Sequence, residues 1–125
     1  MTIAGTLITC ATLIAVDGDT AKCDGENLRP MGDGAPHVSG FDTPEIRRPR
    51  CAQEALLAAK AMARFAELIA TPNLRIYDSG ERDNTQTHRR LVWMILPDGR
   101  SVGQTLIDEG LAVVWTPDYR ANWCK

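Results

Sequence analysis

Short apolar runs alternate with turn-forming residues over the first third of the chain. The run TLITCATLIAV at 6–16 is rich in Thr, Ile, Val and Leu and ends at Asp-Gly-Asp, which predicts a long first strand entering a hairpin. Two further runs, TAKC and ENLRPM, flank Asp24-Gly25, a dipeptide typical of two-residue hairpin turns. The three runs together predict a meander of three strands.

Residues 51–69 change to a helical period, with apolar side chains on one face and polar side chains on the other. After this helix, LRIY and LVWMIL predict a fourth and a fifth strand, and LAVVW near the end is strand-like. Between them, SVGQTLIDEG predicts a short helix with Ser101 as its cap and Gly110 as its stop. The apolar face of the long helix carries Leu57, Ala58, Ala61, Phe65, Leu68 and Ile69, and the polar face Gln53, Lys60, Arg64 and Glu67.

The order of these elements predicts a fold that is mainly β with α helices (α+β). We expect a five-stranded barrel of the oligonucleotide-binding type (OB-fold), with one long helix after strand 3 and a short helix after strand 5. The 125 residues form one predicted domain, with a core at about 5–115 and a C-terminal tail at 116–125.

Composition excludes a global attraction to nucleic acid. The formal net charge is -2, so binding of a polyanion would depend on local basic clusters. The longest apolar run, 7–16, is shorter than the roughly 20 residues that span a bilayer. No Lys or Arg precedes that run, so no signal peptide is visible. The sequence predicts a monomer without membrane association, cytoplasmic by default, or periplasmic or secreted if its cysteines are paired.

The four cysteines lack the close paired spacings of a thiolate zinc site. They permit two disulfides in three connectivities. The most plausible pairs are Cys10 with Cys23, which flank the same turn, and Cys51 with Cys124, which would tether the tail. Alternatively, Cys10 and Cys23 are small buried strand residues.

Two acidic turns are the candidate chemical site. DGDT places Asp17 and Asp19 where alternation points both carboxylates to one side, and DTPE adds Asp42 and Glu45. Each motif alone is also ordinary turn chemistry. Together they offer hard oxygen ligands of the kind that Ca²⁺ or Mg²⁺ prefers.

AVDGDT, an arginine, GFDTPE, a long helix, HRRLVWMILPDG and GQTLIDEGLA resemble the staphylococcal nuclease (thermonuclease) family, in that order and from about residue 5 to 115. The resemblance implies an OB-fold and a Ca²⁺-dependent phosphodiesterase that acts on DNA, chiefly single-stranded or denatured, and on RNA. It also implies that Asp19, Asp42 and the backbone carbonyl of Thr43 hold the metal. Glu45 is then the implied general base, and two arginines stabilise the transition state.

The first arginine has two candidates. Counting back from Asp42 along the family pattern reaches His37, whereas counting forward from Asp19 reaches Arg29. A two-residue turn at Asp24-Gly25 pairs Thr20 with Arg29, which sets Arg29 beside Asp19. Removing 33–40, DGAPHVSG, restores the family spacing. We therefore interpret 33–40 as an inserted loop and Arg29 as the catalytic residue, with His37 as the alternative.

The resemblance places Arg89 in the second arginine position, with Arg90 as the alternative that differs only by strand parity. His88 stands where the family usually has a glycine, and Thr87 where it often has a tyrosine. We expect these basic residues, together with those of IRRPR, to form a rim for the phosphate backbone, although a solvated loop is the simpler reading. The predicted substrate-binding set is Arg47, Arg48, Arg50, His88 and Arg90.

Three tryptophans could stack on bases, and of these only Trp115 and Trp123 are expected to be partly exposed. Two other functional classes compete with an active nuclease. One is a catalytically weak or inactive nuclease-like module that binds nucleic acid or protein. The other is a small binding or inhibitor-like domain whose acidic turns are incidental. The presence of Asp19, Asp42 and Glu45 favours catalysis.

Overall fold

The computed structural model describes residues 5–125, so the first four residues of the predicted domain lie outside the described residues. Eight strands and two helices follow one another along this part of the chain. In order they are β1 (Thr6–Ile8), β2 (Leu13–Ala15), β3 (Ala21–Cys23), β4 (Glu26–Pro30), β5 (Gly40–Asp42), α1 (Ala52–Ile69), β6 (Arg75–Arg82), β7 (Arg90–Ile95), α2 (Val102–Asp108) and β8 (Val113–Trp115).

The main sheet has six strands in the order β1-β6-β7-β4-β3-β2. β1 and β2 lie at opposite edges of this sheet, although only residues 9–12 separate them in the chain. Such a short connection requires the sheet to curl until its two edges approach each other. The mixed α+β architecture is therefore consistent with an OB-like fold, but the predicted long first strand is broken in two, and the strands number eight in two sheets rather than five.

The hairpin between β3 and β4 has the predicted register. Asp24 and Gly25 both have positive φ, 51° and 87°, as a two-residue turn of this kind requires. Cys23 pairs with Glu26 and Ala21 pairs with Leu28. One further step in this register places Thr20 opposite Arg29, on the strand that leads into the cleft described below.

Both predicted helices are confirmed. α1 begins after Cys51, whose Sγ accepts a hydrogen bond from the Glu54 N–H at 3.4 Å. Ser101 caps α2 by accepting the Gln104 N–H at 3.0 Å, and Gly110, with φ 77°, follows its end. The buried face of α1 includes the predicted apolar residues except the half-buried Leu57, and it also includes Glu54, a charged residue that the apolar pattern did not identify.

The predicted insertion at 33–40 is confirmed as a loop, except that its last residue, Gly40, begins β5. β5 pairs antiparallel with β8, with Asp42 opposite Val113 and Gly40 opposite Trp115. The loop is anchored by a hydrogen bond of 2.9 Å from the Trp93 indole N–H to the Gly34 carbonyl. The sequence did not predict β5, because three residues are too short for an alternating pattern to be recognised.

Two disulfides are present, Cys10–Cys23 and Cys51–Cys124, which confirms the more plausible pairing. The first joins the bend between β1 and β2 to the end of β3. The second joins the segment after β8 to the start of α1. Within residues 5–125, no helix is both long and apolar enough to cross a membrane.

Candidate active site

The two acidic turns meet at Gly18 and Thr43. A Cβ atom on Gly18 would lie 2.7 Å from the Thr43 Oγ1, so only glycine fits this contact without a shift. Thr43 is buried, with 7% of its surface exposed, although it is polar and belongs to a turn. This close approach brings Asp19 and Asp42 to one side of the same cleft.

The carboxylates of these turns crowd one another. Burial and then the charge of Asp19 raise the pKa of Asp42 to about 6, and the same two causes raise the pKa of Asp17 to about 6. Burial also opposes ionisation of Asp19, but the charge of Arg29 and the hydrogen bond with Asp17 hold its pKa below the usual value. The cleft therefore concentrates negative charge that only partial burial and two arginines offset.

Arg29 lies beside Asp19, as the hairpin register predicts. Its Nη1 is 3.3 Å from the Asp19 Oδ2 and donates to the Asp19 carbonyl at 3.2 Å. Its Nη2 donates to the Phe41 carbonyl, and its guanidinium lies 5.2 Å from the centre of the Phe41 ring. Arg29 thus connects β4 to both acidic turns.

Arg89 approaches the same aspartate from β7. Its Nη1 donates to the Thr20 Oγ1 at 2.6 Å and lies 3.9 Å from the Asp19 Oδ1. Its Nε donates to the Asp83 Oδ2 at 2.6 Å, and its backbone N–H donates to the Asp83 Oδ1 at 3.0 Å. Asp83 therefore fixes both the backbone and the side chain of Arg89.

The cleft has a volume of about 480 Å³. Its charged lining consists of Asp19, Asp42, Asp83, Arg29 and Arg89, joined at the rim by His37. The His37 Nε2 lies 3.4 Å from the Glu81 Oε1, so this side chain is directed to an acidic partner on β6. The C-terminal side of the cleft is formed by Trp115, which is half-buried as predicted, and by Pro117.

Glu45 is exposed beside this cleft, close enough to Asp42 for its charge to help raise the pKa of that carboxyl. Its Oε1 accepts the Arg47 N–H at 3.3 Å. The backbone N–H of Glu45 donates to the buried Glu54 carboxylate at 3.2 Å. That carboxylate also accepts the Arg50 N–H at 2.8 Å and two side-chain bonds from Arg50 at 3.1 Å. Glu54 therefore holds both ends of the segment 45–50.

Replacing Glu54 by glutamine is expected to lower the free energy of unfolding at pH 7 by about 1–3 kcal/mol, because an amide nitrogen cannot accept these bonds. The hydrogen bonds of Arg50 lower the pKa of Glu54 to about 2. A lowered folded pKa stabilises the fold above the unfolded value of 4.5, and this contribution is lost as the pH falls toward 2. Urea unfolding should therefore show the difference between parent and variant narrowing below pH 4.5.

The exposed Glu67 on α1 is the matched control. Glu67→Gln should leave the free energy of unfolding within about 0.5 kcal/mol of the parent at every pH. A Glu54 variant that matched this control at pH 7 would contradict the role assigned to the buried carboxylate.

The structure brings some of the predicted substrate-binding residues to the cleft region and directs others away. Arg47 and Arg48 are exposed just after Glu45, and neither forms an ion pair with the described residues. Arg50 is committed to Glu54, and Arg90 to Glu26 at 2.9 Å and Asp78 at 2.7 Å. His88 is exposed with φ 43°, which explains why a glycine suits this position.

The donors present suit a hard cation in part. No group of three or more His, Cys, Asp or Glu side chains within residues 5–125 converges into a complete metal site. Asp19 and Asp42 nevertheless supply two carboxylates whose mutual repulsion a cation would relieve, as the raised pKa of Asp42 indicates. With the Thr43 carbonyl they would form an open oxygen set that water and a phosphate oxygen could complete.

Two residues of the site were missed by the sequence reasoning, Glu54 and Asp83. Glu54 interrupts the apolar face of α1 at a helical position, and a charge on that face is the signal that could have identified it. Asp83 lies in DNT, an ordinary turn sequence, and only the fold reveals its contact with Arg89.

Comparison with known proteins identifies two similar chains and no matching family model. The SPbeta prophage-derived endonuclease YokF of Bacillus subtilis (strain 168) is 35% identical over 102 residues. Endonuclease YncB of the same organism is 33% identical over 105 residues. Each alignment covers 80% of this chain, but the chain spans only 32% of YokF and 44% of YncB. These homologues point to a nuclease family.

Proposed function

We propose that this chain is a metal-dependent nuclease of the staphylococcal nuclease type, which hydrolyses phosphodiester bonds of DNA or RNA with Ca²⁺, or alternatively Mg²⁺. The observation that carries the proposal is the meeting of two carboxylates, Asp19 and Asp42, with two guanidinium groups, Arg29 and Arg89, in one cleft. Opposite charges at this density match the needs of a phosphate that gains negative charge as it reacts.

The relatives support the same reaction class. Both are named endonucleases, and their alignments span most of this chain. Their names favour cleavage within a strand. The order of the six strands and the parallel pairing of β4 with β7 support the OB-fold that the resemblance implies.

A divalent cation held by Asp19, Asp42 and the Thr43 carbonyl would neutralise charge on a nonbridging phosphate oxygen. Arg29 and Arg89 would each donate hydrogen bonds to phosphate oxygens, and the planar guanidinium suits two parallel bonds. Asp83 would keep Arg89 in place for this task, since it already holds two of its donors.

Glu45 would accept a proton from the attacking water. As the water oxygen bonds to phosphorus, the bond from phosphorus to the leaving oxygen breaks, and the leaving oxygen takes a proton from solvent. The exposed carboxylate is accessible to water, and Glu54 fixes its backbone. Positioning is therefore the main contribution of the protein to this step.

An unpaired strand is the proposed substrate, because the cleft takes a phosphate between Asp42 and Arg89 while Trp115 offers a ring face to a neighbouring base. The two disulfides favour an oxidising compartment for the working protein. A monomer remains our expectation.

The decisive experiment measures release of acid-soluble nucleotides from denatured DNA with added Ca²⁺, with and without chelator. We expect activity that chelation abolishes and that Glu45→Gln lowers by about 100-fold or more. The exposed Glu67→Gln should retain parental activity. Hydrolysis that neither chelator nor Glu45→Gln affects would refute the mechanism, and no hydrolysis with any divalent ion would favour a noncatalytic binding module.

A further inference from the structure

The segment after β8, residues 116–125, runs from the cleft to the start of α1. Pro117 lines the cleft. Further along, the Arg50 Nη2 donates to the Ala121 carbonyl at 3.4 Å, and Cys124 is bonded to Cys51. The Gln53 side chain donates to the Lys125 carbonyl at 3.0 Å. These contacts fix the segment beside the loop that carries Glu45.

The segment carries aromatic and cationic side chains at its surface. Tyr119 is 41% exposed and Arg120 is exposed, while Trp123 is half-buried. Arg120 donates to the Pro117 and Tyr119 carbonyls, and within residues 5–125 it forms no ion pair with a carboxylate. Its positive charge is therefore uncompensated by a direct partner.

The neighbouring loop adds charge of the same sign. Arg47 and Arg48 are exposed, and Arg50 connects this loop directly to the segment. The chain as a whole has a net charge of -2, so a basic surface next to the cleft is a local feature and not an effect of composition. Arginines interleaved with exposed aromatic rings match the phosphates and bases of an unpaired strand.

We propose that segment 116–125, together with Arg47 and Arg48, is an extended binding surface for single-stranded nucleic acid, and that the Cys51–Cys124 disulfide holds it in place. The proposal rests on the proposed nuclease function, because it describes the strand beyond the phosphate in the cleft. A long strand would contact this surface, whereas a minimal phosphodiester would contact the cleft alone.

The test compares two charge reversals, Arg120→Glu and the matched control Arg75→Glu. Arg75 is exposed at the beginning of β6, and the cleft residue Asp83 directly follows the other end of that strand. Binding of a labelled 16-nucleotide oligothymidine is measured with chelator present, so that no hydrolysis occurs. We expect Arg120→Glu to weaken binding about tenfold at low salt and to reduce the slope of log K against log salt by about 1.4, or 0.7 for each unit of charge changed.

Hydrolysis separates this surface from the cleft. Arg120→Glu should lower kcat/KM for the 16-nucleotide strand about tenfold and leave hydrolysis of thymidine 5′-(p-nitrophenyl phosphate) within twofold of the parent. If the parent hydrolyses neither substrate, the proposed function fails, while oligothymidine binding still decides the surface. Equal losses for Arg120→Glu and Arg75→Glu, or unchanged binding in both, would overturn the proposal.

A second pair of substitutions, Cys51→Ser with Cys124→Ser, tests the tether. Serine at 51 keeps an oxygen that can cap α1, so the helix start is preserved. We expect the released segment to give the same roughly tenfold loss on the long strand only. Parental long-strand binding in this folded double variant would overturn the role of the disulfide. If circular dichroism shows that the double variant does not fold, the Arg120 comparison alone decides.

Discussion

Replacing Arg29 by lysine is expected to lower kcat for hydrolysis of denatured DNA by about 100- to 1,000-fold, the usual cost of removing a preorganised donor to a developing charge. Lysine keeps the positive charge near Asp19 but cannot reproduce the planar fork that contacts both Asp19 and Phe41. Initial rates of acid-soluble nucleotide release at saturating DNA measure the effect. Circular dichroism and urea unfolding should show a folded variant.

His37→Ala is the matched control, because His37 is the residue that competes for the same role. Its imidazole lies at the rim of the cleft and pairs with Glu81, whereas Arg29 lies against the acidic turns. We expect kcat to change by less than threefold in the His37 variant. If Arg29→Lys leaves cleavage intact while His37→Ala abolishes it, the hairpin register does not identify the catalytic arginine.

The position of Arg29 was predictable because it depends on a local rule. Asp24-Gly25 fixes the turn, the turn fixes the register, and the register places Arg29 near Asp19 whatever the length of the loop that follows. The length of α1 was predictable for a similar reason, since its apolar period continues without interruption to Ile69. Local patterns determined these features, and the sequence displays them directly.

Other features depend on contacts between distant segments. The break between β1 and β2 was not predicted, because TLITCATLIAV has no breaker residue and only closure of the curled sheet requires the bend. Gly18 was read as a turn residue, but its contact with Thr43 is what joins the two acidic turns. The buried Glu54 has partners within the segment 45–50, and no periodicity reveals them.

The neighbouring residues Arg89 and Arg90 illustrate how strand parity divides function. They are adjacent in sequence, yet Arg89 enters the cleft with Thr20 and Asp83, while Arg90 is occupied by Glu26 and Asp78. Alternation along a strand sends successive side chains to opposite faces. The two residues therefore form a natural pair for comparison, since the same substitution can be made at both.

Arg89→Lys is expected to lower kcat by about 100- to 1,000-fold, whereas Arg90→Lys should lower it by less than threefold. The large effect follows because lysine cannot keep bonds to Asp83 and Thr20 while also donating to a phosphate. The Arg90 variant should instead lose stability only, by about 1 kcal/mol, since its ion pairs are partly exposed. Single-turnover hydrolysis and urea unfolding measure the two effects separately, and the reverse order of activities would contradict the parity assignment.

Asp83→Asn tests whether the effect of Arg89 depends on its orientation. Asparagine retains one oxygen that can accept the Arg89 backbone N–H but loses the charge that pairs with Nε, so we expect kcat to fall about tenfold. If Asp83 acts through Arg89, then adding Asp83→Asn to Arg89→Lys should cost little more than Arg89→Lys alone, because there is no guanidinium left to orient. Fully additive losses in this double-mutant cycle would show that Asp83 has a separate role in the cleft.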